Sequence, residues 1–297
     1  MIDLSVNLSG IKLKNPVILA SGVWDLPYRE IIDFDRLGGV IYKGVSLKPK
    51  EGNPPPRLTE TPCGVINSIG LENEGVMNFI EEILPTLKES NTAIFSNIFG
   101  ESIEEFSKLS SLIRDVSGIE VNVSCPNVDK GGLLFGKDPN IVYSITKSVC
   151  NETDLPVIVK LTPSSANIVE VAQAASDAGA SAISAVNTFQ GLVIDIETGK
   201  PLLKRGVGGV SGPAIKPLAL YNVYQIAKSV DIPVIGSGGI TTYQDALEYF
   251  FAGSSAIQIG SAIFNNPLAP IQIIDNLKKW MERKGYKNLK ELKGKYE

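Results

Sequence analysis

The chain of 297 residues contains no histidine. That absence excludes Ser-His-Asp and Cys-His catalysis, histidine-based zinc sites and any imidazole proton shuttle. Acid/base chemistry must therefore fall to Cys, Lys, Asp, Glu or Tyr. Cysteine is scarce. Cys63, Cys125 and Cys150 are too few and too scattered for a disulfide framework or for a four-thiolate metal or iron-sulfur site. No metal is expected in this chain, and a reducing cytoplasm suits it best. No apolar run approaches the roughly 20 residues of a membrane span. The opening MIDLSVNLSGIKLKNP alternates polar and apolar residues and lacks the layout of a secretion signal. A basic surplus is also missing: 28 Lys and Arg stand against 32 Asp and Glu. Neither nucleic acid nor a membrane surface is expected as a partner.

What is present is an ordinary globular composition, 43% hydrophobic and 20% charged, sufficient for a core that needs no staples. Short β-rich apolar runs alternate with longer segments of helical period, the pattern of a parallel sheet with crossover helices. Eight such runs begin near Val17, Gly39, Thr92, Gly118, Pro156, Ala182, Pro233 and Ser254. Residues 103–116, 167–178, 214–230 and 242–252 place apolar residues at helical spacing. Eight βα units predict an α/β fold of the (β/α)8 barrel type, with one domain over residues 1–297.

The intervals after the second and sixth strands are about twice the length of a compact βα unit, and these two insertions are expected on the active face. The first, residues 48–75, is rich in Pro, Gly and Asn. A flexible linker is one reading. An ordered lid or substrate loop is the better one, because Cys63, Val65, Ile66, Ile69 and Leu71 need somewhere to pack. The second insertion spans residues 191–213. The opening LSVNLSGIKLKN predicts a β-hairpin that caps the bottom of the barrel.

The last two strands end in glycine turns, Gly236-Ser237-Gly238-Gly239 and Gly260-Ser261, each leading into a helical segment. Glycine lets backbone approach a ligand, and helix-start amides face an anion, so two such turns suit a phosphate in this fold. One alone is commonly structural. Strand four runs into Asn122-Val123-Ser124-Cys125-Pro126-Asn127. A lone cysteine in an apolar strand is usually packing. Cys125 instead lies just past a strand end between asparagines able to fix a planar polar substrate, and it is the leading base or nucleophile. Cys150, in a helical stretch, reads as core. Lys160 and Lys43 end strands five and two. Each either snorkels to solvent or stabilises negative charge over the barrel mouth. Asn187-Thr188 adds a polar pair at the end of strand six.

In this order on a barrel, these residues resemble the class 1 dihydroorotate dehydrogenases along essentially the whole chain. The motifs are Ala20-Ser21-Gly22, residues 51–57 (EGNPPPR), residues 67–73 (NSIGLEN), residues 122–127 (NVSCPN) and residues 208–217 (GGVSGPAIKP). The resemblance implies FMN across the barrel mouth, its phosphate on Gly238, Gly239, Gly260 and Ser261. Ser21, Lys43, Gly44, Asn97, Asn122, Lys160, Val186 and Gly212 are the other implied flavin contacts. Implied substrate contacts are Lys43, Asn67, Ser68, Ile69, Gly70, Leu71, Asn122, Asn127, Asn187 and Thr188. Cys125 is implied as the catalytic base that takes a proton from C5 of dihydroorotate, and Lys160 as the stabiliser of the reduced flavin anion. The 128–132 stretch (VDKGG) and residues 208–217 resemble type B of the class. Type B passes electrons to NAD through a partner subunit that carries FAD and a [2Fe-2S] cluster. A homodimeric core and a cytoplasmic location are also implied, and the lack of a membrane-associating extension argues against class 2. Phe99 departs from the family, which has a small residue there.

Three other readings compete. They are a fumarate-using type A enzyme, a dihydropyrimidine dehydrogenase-like reductase, and a non-catalytic barrel that binds a phosphorylated ligand. The last leaves Cys125, Lys160 and the asparagines unexplained.

Overall fold

A computed structural model describes residues 2–123 and 135–295. The chain opens with an antiparallel hairpin, β1 (Val6–Leu8) and β2 (Ile11–Leu13). Eight parallel strands follow and close into a barrel: β3 (Val17–Leu19), β4 (Gly39–Val45), β7 (Ala93–Ile98), β8 (Gly118–Asn122), β9 (Val157–Leu161), β10 (Ala182–Ala185), β15 (Val234–Ser237) and β16 (Ala256–Ile259). These are the eight runs expected from the sequence, and β16 pairs with β3 to complete the ring. Most strand residues are buried on both faces. That explains why the strands read as near-continuous apolar runs rather than alternating ones.

Helices Ile103–Leu112, Pro139–Glu152, Ile168–Asp177, Lys216–Ala227, Tyr243–Phe251 and Ala269–Lys284 surround the barrel. The connection from β3 to β4 holds no α-helix. Asp25 and Asp33 each cap a short 3-10 turn instead, Leu26–Glu30 and Phe34–Arg36, and the C-terminal helix Ala269–Lys284 packs on β3.

Two layers of inward-facing side chains fix the function of the barrel's ends. The lower layer is apolar: Ile18, Ile41, Phe95, Ile158, Ala182, Ile235 and Ala256 pack with Leu8, Ile11 and Leu13 of the hairpin, which plugs the bottom. Because side chains alternate along a strand, the residues two places further on face the same way. On five of these strands they are buried polar groups: Asn97, Lys160, Ser184, Ser237 and Gln258. The apolar layer closes the barrel and the polar layer forms the floor of a cleft above it.

The two insertions do not project separately. The first forms β5 (Leu58–Thr61) and β6 (Gly64–Asn67). The second carries β11 (Phe189–Leu192), β12 (Ile194–Asp195), β13 (Lys200–Pro201) and β14 (Val207–Ser211). β6 pairs antiparallel with β14, so the two build one four-stranded sheet, β11-β14-β6-β5, over the mouth of the barrel. The first insertion is thus ordered. Ile66 is fully buried and Leu71 packs on the core, whereas Cys63, in the turn between β5 and β6, is exposed. Its packing was expected and does not occur, because a hairpin tip has no facing layer.

Candidate functional site

Between the C-terminal ends of the barrel strands and this sheet lies a cavity of about 290 Å³, near the lower end of the range for small-molecule sites. Every flavin contact implied by the resemblance lines it: Ser21, Lys43, Gly44 and Asn97 from the first three barrel strands and their ends, Asn122, Lys160 and Val186 from the next three, and Gly212, Gly238, Gly239, Gly260 and Ser261 from the far side. Of the implied substrate contacts, Lys43, Asn67, Ile69, Gly70, Leu71, Asn122, Asn187 and Thr188 line the same space. Ser68 does not. Its side chain is fully buried behind the wall, while its backbone N–H donates to the Arg57 carbonyl at 2.8 Å and its carbonyl accepts from Asn53 Nδ2 at 2.8 Å. Cys125 and Asn127 lie outside the described residues.

The glycine turn after β15 is built for close backbone approach. Gly238 and Gly239 have φ of 128° and 69°, a region that L side chains avoid. A Cβ on Gly239 would stand 2.8 Å from the Gly212 carbonyl oxygen and 2.9 Å from the Lys216 nitrogen. Tyr249, buried in the following helix, donates its hydroxyl to the Gly238 carbonyl at 2.6 Å, and burial pushes its phenol well above the usual tyrosine range. Asp245 holds the other flank. Its carboxylate accepts from the Thr241 and Thr242 amides at 3.0 and 2.9 Å, from both their hydroxyls, and from Lys216 Nζ at 2.7 Å. We expect Gly239→Ala to cost about 1–2 kcal/mol of stability for the left-handed backbone, read as a lower denaturant midpoint.

Burial alone would raise the Asp245 pKa, but the Lys216 and threonine hydrogen bonds win and hold it at about 2, against an ordinary 3.8. A carboxyl whose folded pKa is depressed contributes stability above its unfolded pKa, and that contribution disappears as pH falls through the folded value. The difference in thermal midpoint between the native chain and Asp245→Asn is therefore expected to narrow as pH is lowered from about 4 to about 2. A constant difference would show that the charge of Asp245 is not what stabilises the turn.

On the opposite wall the pairing of β4 with β7 shifts by one residue between Ile41 and Gly44. Lys43 sits at that irregularity, its ammonium 3.3 Å from Asp25 and 3.0 Å from Glu74. Burial works against its charge, yet the Glu74 hydrogen bond and the charges nearby raise its pKa overall. Burial likewise pushes the neighbouring Tyr42 up to about 12. Phe99 does not line the cavity. It is buried behind Gly44, where a Cβ would meet its ring at 3.0 Å, so the large residue at position 99 is accommodated by the glycine in front of it.

The floor contains a group that sequence reasoning missed. Glu120, with no exposed surface, faces inward from β8 and forms an ion pair with Lys160 at 3.4 Å. Asn97 Nδ2 donates to its Oε1 at 2.7 Å and Gln258 Nε2 to its Oε2 at 2.6 Å. Lys160 Nζ also donates to Ser21 Oγ at 3.2 Å and to Gln258 Oε1 at 3.5 Å. Lys160 is therefore neither snorkelling nor free: it is a buried, compensated cation in the cavity floor. The signal was present, since Glu120 and Gln258 occupy inward positions at the strand period of two.

This arrangement fits a flavin mononucleotide. Asn97 Oδ1 is buried and has no partner among the described residues. Lys160 presents a cation at the same floor, and the glycine turns offer side-chain-free backbone on the far wall. No group of three or more acidic or Cys side chains placed to hold a metal occurs among the described residues, and none of their helices is long and apolar enough to cross a membrane.

Comparison with known proteins agrees with this geometry. A family model described as dihydroorotate dehydrogenase matches residues 3–281. A protein of Caldicellulosiruptor bescii named dihydroorotate dehydrogenase B (NAD(+)), catalytic subunit, is 52% identical over 295 residues, covering 98% of each chain. Proteins of the same name from Thermoanaerobacter sp. and Geotalea uraniireducens are 49% and 46% identical. They span 98% of this chain and 98% and 97% of their own.

Proposed function

The chain belongs to the dihydroorotate dehydrogenase family, and from that premise we propose that it oxidises dihydroorotate to orotate in pyrimidine biosynthesis, as the catalytic subunit of a NAD-linked enzyme. The observation that carries the reading is a single cavity in which the glycine turns, the buried Lys160 and the asparagines all face one another.

FMN, held by Ser21, Lys43, Gly44, Asn97, Asn122, Lys160, Val186, Gly212 and the two turns, supplies the hydride acceptor when bound. Lys160 provides the fixed positive charge that favours the reduced, more negative ring. Asn122 and Asn187 lie together, Asn187 Nδ2 donating to Asn122 Oδ1 at 3.5 Å. With Asn67, Thr188 and Asn127 they would orient the planar polar substrate by its amide edges. Lys43 is the cation near a substrate carboxylate, Ile69 to Leu71 shape the wall with Ser68 buried behind them, and the sheet built from the two insertions covers the site. Cys125 takes the C5 proton as thiolate while the C6 hydrogen leaves with its electron pair, so one proton and one hydride account for the new C5–C6 double bond. An unperturbed thiol titrates near 8.5, and a neighbouring cation suffices to raise its thiolate fraction at neutral pH.

The relatives' name, catalytic subunit, fits a chain that works with a second protein. We assign to that partner the FAD and the [2Fe-2S] cluster, since the cysteines of this chain are too few to hold one. A homodimeric core in the cytoplasm, each chain acting as one barrel domain, completes the proposal. The test is a turnover assay with dihydroorotate and NAD, with and without an iron-sulfur flavoprotein subunit, and separately with fumarate. NAD reduction only in the presence of the subunit is expected. Turnover with fumarate alone would make this a fumarate-using enzyme. Oxidation of dihydrouracil in place of dihydroorotate would make it a pyrimidine reductase.

A further inference from the structure

Glu120 and Gln258 do not line the cavity, yet three of the four hydrogen bonds shown for the Glu120 carboxylate lead to residues that do. Oε1 accepts from Asn97 Nδ2 at 2.7 Å and, at 3.4 Å each, from Lys160 Nζ and Ser21 Oγ. Oε2 accepts from Gln258 Nε2 at 2.6 Å. A carboxylate only accepts, whereas an amide has one donating end and one accepting end. With its NH2 held by Glu120, Asn97 must turn Oδ1 the other way. That oxygen is buried without a partner among the described residues, 3.1 Å from where a Cβ on Gly44 would be, on the side where that Cβ would also meet the Phe99 ring. By the same logic the Gln258 NH2 faces Glu120, which leaves its Oε1 toward Lys160 at 3.5 Å.

We propose that Glu120 is a positioning residue that sets the hydrogen-bond polarity and charge of the cavity floor. It fixes the orientation of the Asn97 amide and makes Lys160 a compensated cation, and so tempers the positive charge that the floor presents to a flat ring gaining negative charge on reduction. The proposal rests on the FMN reading above. Replacing the carboxylate by an amide, as in Glu120→Gln, breaks the pattern. The new NH2 group faces the NH2 of Asn97 or of Gln258, and whichever neighbour turns over loses its present pairing; a turned Gln258 presents a donor to Lys160. The substitution also removes a negative charge from beneath the ring, which favours the reduced state.

The test compares the full-length chain with Glu120→Gln and Glu120→Asp in three measurements: FMN affinity by fluorescence titration of apoprotein, the reduction potential of bound FMN, and the apoprotein melting midpoint. Glu120→Gln is expected to bind FMN at least tenfold more weakly and to show a more positive potential. Glu120→Asp, which keeps the charge, should bind more weakly but retain the potential of the native chain. A purely structural role would lower the melting midpoint and leave the potential unchanged. A potential in folded Glu120→Gln that is equal to or more negative than that of the native chain overturns the proposal. Should Glu120→Gln not fold, native FMN affinity in Glu120→Asp overturns it instead. Absence of FMN binding by the native chain would remove the reading on which the proposal rests, an outcome separable from the others because it is measured first.

Discussion

Lys160→Met is expected to lower the folding stability of the apoprotein by about 3–5 kcal/mol, the usual cost of leaving one member of a buried ion pair without the other. Glu120 has no exposed surface. Its remaining donors, the Asn97 and Gln258 amides and the Ser21 hydroxyl, are neutral and do not compensate a full charge in a low-dielectric core. Methionine matches the lysine stem in length, so packing is largely retained and the loss reports the charge. Denaturant titration measures it. The double substitution Glu120→Gln, Lys160→Met should recover most of the stability, because both charges are then gone, while recovering none of the electrostatic support for reduced flavin. A single substitution that melts with the native chain would mean that water or local rearrangement compensates Glu120.

Cys125→Ala should bind FMN with native affinity and lose about 10²–10⁴-fold in turnover, the range for removal of a general acid/base group. With no histidine in the chain, there is no imidazole to take over at neutral pH. The half-reaction separates the steps: flavin reduction by dihydroorotate should slow by that factor, while reoxidation of chemically reduced enzyme should not change. Native turnover in Cys125→Ala would move the base role to another group. The same result with Cys63→Ala would carry no such meaning, since Cys63 sits exposed in a hairpin turn.

The barrel was legible in the sequence because parallel strands enclosed on both faces leave uninterrupted apolar runs, and all eight runs became strands. The first glycine turn was legible too, since a backbone at φ of 128° and 69° at Gly238 and Gly239 admits little else. The partnership of the two insertions was not. Asn67 Nδ2 donates to the Gly209 carbonyl at 3.3 Å across 142 residues of sequence, and nothing local in either segment specifies that pairing. The sequence marks Lys43 as a strand-end cation, but Asp25 and Glu74, which hold it, arrive from connecting segments of no regular period. Glu120 was illegible for a different reason. It is a charged residue in mid-strand, away from the strand ends where barrels carry their chemistry, and only pairing across the barrel interior makes a carboxylate tolerable there.

The most direct measurement is an anaerobic visible spectrum of the purified full-length chain before and after dihydroorotate is added. The account requires a yellow protein with about one FMN per chain, whose flavin absorbance is bleached stoichiometrically by dihydroorotate with release of orotate. A flavin that remains oxidised in excess dihydroorotate would contradict it.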